Sequence, residues 1–144
     1  MTRKIAVFAL LSVPALPWIH PFGQVRNQHS TAPLPGMPNI ERACQNCHSE
    51  RTQWPLYSNL PVASWLIEKD VADGRSHMNL SHWSSYSDDQ KRDLLARIGA
   101  EVRSRQMPPA RYLKLHPDAQ LSDSDIDSIY RWTKAQRANL RKRE

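Results

Sequence analysis

Both cysteines of this 144-residue chain fall within five residues, Cys44-Gln45-Asn46-Cys47-His48. On a helix, residues i and i+3 share a face, so the two thiols project side by side. His48 follows at once, four residues beyond Cys44. Cys-x-x-Cys-His is the attachment signature of a c-type haem. Each thiol can form a thioether with one of the two haem vinyl groups, and the imidazole comes over the iron as proximal ligand. Cys44 and Cys47 are therefore the candidates for holding one covalently attached haem c, and His48 is the candidate metal ligand. Three other chemistries use such a pair. A disulfide in this short loop would be redox-active rather than structural. A thioredoxin-like dithiol site needs a βαβ setting. A zinc site needs further ligands, and the chain has no second cysteine pair.

The chain is also short of material for a self-sufficient core. Hydrophobic residues make up 40%, against the usual ~45–50% for soluble domains. Eleven prolines punctuate the chain, and both phenylalanines, Phe8 and Phe22, lie near its start. A large all-apolar interior is excluded, and a tethered apolar cofactor would supply the missing core. The net charge of +6 comes from the ends. Residues 1–36 carry three cations and no acid, and residues 131–144 carry six cations against Glu144, which leaves the stretch between them slightly acidic. No basic stripe interleaved with aromatics runs through that body, which argues against a nucleic-acid partner.

Residues 5–19 (IAVFALLSVPALPWI) form the one long apolar run and follow Arg3 and Lys4. A basic start before ~7–15 apolar residues is the pattern of a secretory signal or signal anchor. As a helix the run reaches about 22 Å, short of the ~30 Å hydrocarbon core, and Pro14 and Pro17 interrupt it. No clear small-x-small cleavage site is present, so cleavage is left open. The expected organisation is a signal peptide or N-terminal membrane anchor over 1–20, a Pro-rich linker over 21–38 and one haem-binding c-type cytochrome domain over 39–144. The expected location is the periplasm, with a membrane contact through the N-terminal segment.

Within that domain the pattern is all-α. Asn39 is the expected cap of a short helix over 40–48. Pro61 suits the first turn of a second helix, which Asp73 and Gly74 are expected to end. Ser87 and Gln90 make a capping box for a helix running to Gln106, with Leu94, Leu95, Ile98 and Val102 on one face. Pro108 and Pro109 stop it. Ser122 and Asp125 open a last helix whose face is Ile126, Ile129, Tyr130 and Thr133. The expected fold is a small cytochrome c-like domain of about four short helices and long loops around a covalent haem, behind an apolar leader.

His77, Met78, His82, Met107 and His116 are the candidates for the other axial position. Met107 is preferred, because it follows a helix and precedes two prolines that fix a stiff backbone without donors. A thioether there raises the reduction potential relative to a bis-His site. His77 is the alternative, with His82 close by. Trp54, Trp65 and Trp83 are candidates for packing on a porphyrin or donating to a propionate. Arg75, and Arg51 beside the motif, are candidates for a propionate ion pair.

At these residues the chain resembles a known group. Residues 44–49 (CQNCHS), 52–59 (TQWPLYSN), 61–65 (PVASW), 70–75 (DVADGR) and 77–81 (HMNLS), with Trp83, Met107-Pro108-Pro109, Tyr112 and 115–117 (LHP), are similar in order to the bacterial haem-binding domain family. The resemblance spans about residues 39–135. It implies a small exported protein with a single c-type haem at the membrane side, and it supplies no substrate. The combined expectation is a mono-haem c-type cytochrome, an electron carrier rather than an enzyme, with His48 and Met107 as axial ligands and a redox protein as partner. The basic residues 131–143 would steer an acidic partner or rest on anionic lipid. The alternative is a haem enzyme or sensor for peroxide or a small gas, with an open sixth site served by His77, His82 or Arg75. A dithiol oxidoreductase using Cys44 and Cys47 is a third reading.

Overall fold

A computed structural model describes residue 27 and residues 35–143. The apolar leader, Trp18 included, lies outside the described residues. Those described are helical, with no strand among them. Six α-helices follow in order: α1 (Ile40–Ala43), α2 (Gln45–His48), α3 (Ala63–His77), α4 (Asp88–Arg103), α5 (Ala110–Leu113) and α6 (Asp123–Arg141). Short 3-10 turns at Leu56–Asn59, Leu80–Ser85 and Pro117–Ala119 fill the connections. No helix among the described residues is long and apolar enough to cross a membrane.

The two long C-terminal helices form as their caps dictate. Ser87 accepts from the Gln90 amide while the Gln90 side chain accepts from the Ser87 amide, and Ser122 and Asp125 repeat the box. Each box satisfies two backbone donors that would otherwise be orphaned at a helix start. Leu95, Val102, Ile126, Ile129 and Thr133 are buried where these helices meet. Gly99 faces Thr133, Arg103 lies over the Tyr130 ring at 4.4 Å, and Arg143 approaches Asp88 at 4.0 Å, so α4 and α6 run antiparallel. One apolar cluster joins this pair to the N-terminal half: Met37, Ile40, Met78 and Leu80 pack with Val102, Leu121, Ile126 and Ile129. Ala43, Cys44, Trp83 and Trp132 border it.

The structure departs from the expected elements at Asn39, at Cys44, at Pro61, which precedes α3 instead of standing in its first turn, and at Gly74. The first helix is broken at Cys44, whose φ of −125° separates α1 from α2. Asn39 stands at the N-cap in the left-handed region with φ 58° and makes no side-chain cap bond. Its amide instead donates to Asp125 Oδ1 at 2.9 Å, and Arg42 reaches Asp125 and the carbonyls of Asp118 and Gln120. These long-range bonds tie α1 to the start of α6. Helix α3 does not end at Gly74 but continues to His77, because that glycine lies against another segment and still holds helical geometry. In the stretch expected to be a linker, Met37 is buried in the core and Asn27 bonds to Thr52 and Arg75.

Ile129→Ala is expected to lower the unfolding free energy by about 2–5 kcal/mol, because Ile129 is wholly buried and its loss leaves a cavity. Ser122→Ala should cost only about 1 kcal/mol, the value of one cap. Urea unfolding of the two variants, followed by far-UV circular dichroism, checks the order and the gap.

Candidate functional site

The cysteine motif is a single helical turn. The His48 amide donates to the Cys44 carbonyl at 3.0 Å, which closes the turn around both thiols. The cysteines are not joined in a disulfide. Helix α3 packs directly across this turn: a Cβ on Gly74 would lie 2.5 Å from the Cys47 carbonyl oxygen and 3.1 Å from its Cβ. Only a glycine permits that approach, because the opposing atoms are backbone and cannot move aside.

The two thiols face different surroundings. Cys44 borders the apolar cluster of Met37, Ile40 and Met78. Cys47 lines a cavity of about 230 Å³ between α3 and residues 111–116. Burial pushes the Cys44 thiol up to about 12, helped by Cys47, and burial together with the Asp70 charge pushes Cys47 up to about 11. Both are therefore protonated at neutral pH.

His48 is half-buried, and its Nδ1 lies 3.2 Å from the Met78 carbonyl oxygen. A carbonyl only accepts, so Nδ1 carries the proton and the lone pair belongs to Nε2. Burial lowers the imidazole pKa, outweighing the carbonyls of Met78 and Gly74, and the ring is neutral at pH 7. A neutral imidazole with one nitrogen anchored on a carbonyl is the state in which histidine binds a metal. The donor chemistry thus fits a haem: two protonated thiols on one turn and an oriented nitrogen ligand beside them.

The cavity beside Cys47 has an apolar lining of Ile67, Val71, Leu66 and Leu115, and one polar wall. In that wall Tyr57 pairs with His116 Nε2 at 2.9 Å, His116 stacks on Tyr112 at 4.2 Å, and Asn46 Nδ2 donates to the Tyr112 hydroxyl at 2.9 Å. Arg111 closes the rim through a bidentate pair with Asp70, its shorter contact 2.6 Å.

Met107 is 40% exposed and does not line this cavity. It borders a smaller cleft of about 40 Å³ with Val102, Leu121 and Ile126, three members of the cluster that Cys44 touches. His77 and His82 are exposed, and His77 Nδ1 turns back to the Asp73 carbonyl at 2.7 Å. Met78 is buried in the core, and its carbonyl serves His48. Trp83 packs on the cluster, edge-on to Tyr86, while Trp65 is half-buried on α3 and Trp54 is 36% exposed. None of these three lines the cavity beside Cys47. Arg75 forms a buried ion pair with Glu50 at 2.9 Å, and Arg51 is half-buried.

Sequence reasoning missed Glu50, Asn46, Asp70 and Asn79. Asn46 occupies a variable position of the motif, and Glu50 and Asn79 find their partners across 25 or more residues. The signals present were the polar residues 49–52 just after the motif, and Asn79 and Ser81 just after Met78.

The profile of a family described as a haem-binding domain matches residues 24–135. This chain belongs to that family. It is also similar to a protein named cytochrome c peroxidase Ccp from Escherichia coli K12, 30% identical over 101 residues. That match covers 68% of this chain and 22% of the relative, so the family member described here spans about a fifth of that protein's length. No solved structure matches the chain significantly. The chain is a haem protein by family, and the motif turn is its candidate haem site.

Gly74→Ala is expected to destabilise the haem-binding domain by about 1–3 kcal/mol, the usual cost of overpacking. Gly36→Ala, where a Cβ meets nothing within 4 Å, serves as the control in the same thermal unfolding series. The raised thiol values give a second expectation for haem-free protein. Above about pH 9 the unfolded chain loses thiol protons that the folded chain keeps up to about 11 or 12, so stability falls as pH rises through that window. Urea midpoints at pH 8 and pH 10, compared between wild type and Cys44→Ser/Cys47→Ser, check it: the alkaline loss shrinks in the variant.

Proposed function

We propose that this haem-binding domain is a mono-haem c-type cytochrome that carries electrons in the periplasm or on the outer face of the inner membrane. The observation behind it is the motif turn itself, two free thiols closed in one helical turn beside an imidazole whose Nδ1 is committed to Met78. Cys44 and Cys47 hold the haem through thioethers, His48 binds iron on one side, and Met107 is the proposed sixth ligand. The haem, when bound, supplies one-electron redox chemistry at iron. The protein's part is to hold both axial positions so that little rearranges on reduction. Met107 suits that task by its thioether, and it lines a cleft with Val102, Leu121 and Ile126, members of the cluster that Cys44 borders. A redox protein is the proposed partner. The proposed membrane contact comes through residues 1–20.

A second reading, a haem enzyme or sensor with a labile sixth site, draws on the cavity at Cys47. Its wall brings Arg111, His116 and Tyr112 together, polar groups able to orient a small ligand. The similarity to a protein named a peroxidase points the same way. The histidines first suggested for that role, His77 and His82, face solvent instead.

The test is a pyridine haemochrome assay on protein matured with haem-attachment machinery, followed by spectra. One covalent haem is expected, absent from Cys44→Ala/Cys47→Ala. A ferric sulfur-to-iron charge-transfer band is expected in wild type and lost in Met107→Ala. An unchanged spectrum in that variant rejects Met107 and favours the second reading.

A further inference from the structure

A buried polar cluster lies behind His48, and neither the attachment nor the axial ligation uses it. Glu50 is 6% exposed, two residues past His48. Its Oε2 lies 2.9 Å from Arg75 Nη1, and its Oε1 accepts from Asn79 Nδ2 at 2.7 Å. The Glu50 amide donates to the Ser81 hydroxyl at 3.0 Å, and Arg75 Nε donates to the Ser49 carbonyl at 2.9 Å. Asn79 Oδ1 accepts from the Ser81 amide at 3.1 Å, and the Asn79 amide donates to the Tyr86 hydroxyl at 2.9 Å. The Glu50, Ser49 and Arg75 contacts join the segment just after the motif to the end of α3 and the residues after Met78, and the Asn79 contacts to Ser81 and Tyr86 brace the latter.

Met78 sits in the middle of this arrangement. Its amide is held by the Gly74 carbonyl at 3.0 Å, its successor Asn79 is fixed by Glu50, and its own carbonyl faces His48 Nδ1 at 3.2 Å. The direction of that carbonyl is therefore set from both sides. We propose that Glu50, Arg75 and Asn79 are positioning residues that fix the His48–Met78 hydrogen bond and thereby set the basicity of the axial imidazole. The proposal rests on the haem reading above. A carbonyl that accepts the Nδ1 proton pushes electron density toward Nε2, and a more basic ligand favours ferric over ferrous iron, which lowers the reduction potential. The ion pair suits the role because Glu50 and Arg75 neutralise each other, so the clamp aims a dipole without adding net charge.

The experiment uses protein carrying covalent haem and compares wild type with Asn79→Ala, which keeps the Glu50–Arg75 pair. Potentiometric titration should give a higher midpoint potential in the variant, and NMR should show faster solvent exchange of the His48 Nδ1 proton. Ser81→Ala, which removes only the hydroxyl under the Glu50 amide, should shift both in the same direction by less, and replaces Asn79→Ala if that variant does not fold. Leu140→Ala, far along α6, controls for lost stability alone. It should lower the melting temperature and leave the potential in place. A haem-bearing wild type whose clamp variants match Leu140→Ala in potential and exchange overturns the clamp and leaves the cytochrome reading standing. A wild type without covalent haem overturns both.

Discussion

Helix α3 reaches the motif turn only because position 74 has no side chain. The Cys47 carbonyl lies where a Cβ would sit 2.5 Å away, and that contact sets the distance between the two segments that carry the chemistry. From the same turn of α3, Arg75 reaches back to Ser49 and Glu50. Three residues on, Met78 presents its carbonyl to His48. A larger residue at 74 would push α3 away from the turn and lengthen all of these contacts together. The site is thus built from one close backbone approach and a set of hydrogen bonds that have a short reach and tolerate little displacement.

The helices were legible where local chemistry alone decides them. The two capping boxes and the apolar faces of α4 and α6 are written in residues three or four apart, and the structure keeps them. The cysteine motif was legible for the same reason, since one turn contains all of it. What could not be read from the sequence depends on distant partners. Gly74 reads locally as a helix stop, yet the helix runs on because the missing Cβ is needed for packing rather than for a positive φ. Asn39 reads as a cap, yet its amide goes to Asp125, which itself is drawn down to about 2 mainly by the Ser122 amide and hydroxyl. Arg75 reads as a candidate partner for a propionate, and its pairing with the buried Glu50, 25 residues away, has no local signature.

The two cavities show how a lean core is distributed. Apolar residues are too few for one interior, and they divide between the cluster under α4 and α6 and the lining of the cavity beside Cys47. Cys44 turns to the first and Cys47 to the second. An apolar group tethered to both thiols, as the proposed function requires, would bridge these regions. Burial of its faces would add the hydrophobic contact area that the composition lacks. The exposed apolar side chains beside the cavity, Leu66 and Leu115 at 61% and 66%, are placed to gain most from such a bridge.

This division also decides what holds each part in place. The α4–α6 pair is held by its caps and buried isoleucines, and it shares one apolar cluster with Ile40 and Met78 on either side of the motif. The motif turn is held by backbone packing on α3 and by the Glu50–Arg75–Asn79 cluster, which uses protein groups alone. Protonated thiols on a preformed turn do not pair readily, because disulfide formation proceeds through the thiolate. With values pushed up to about 12 and 11, Cys44 and Cys47 hold few thiolates at neutral pH. With few thiolates, closure of an internal disulfide across this turn is slow at neutral pH, in keeping with the two unjoined thiols of the structure.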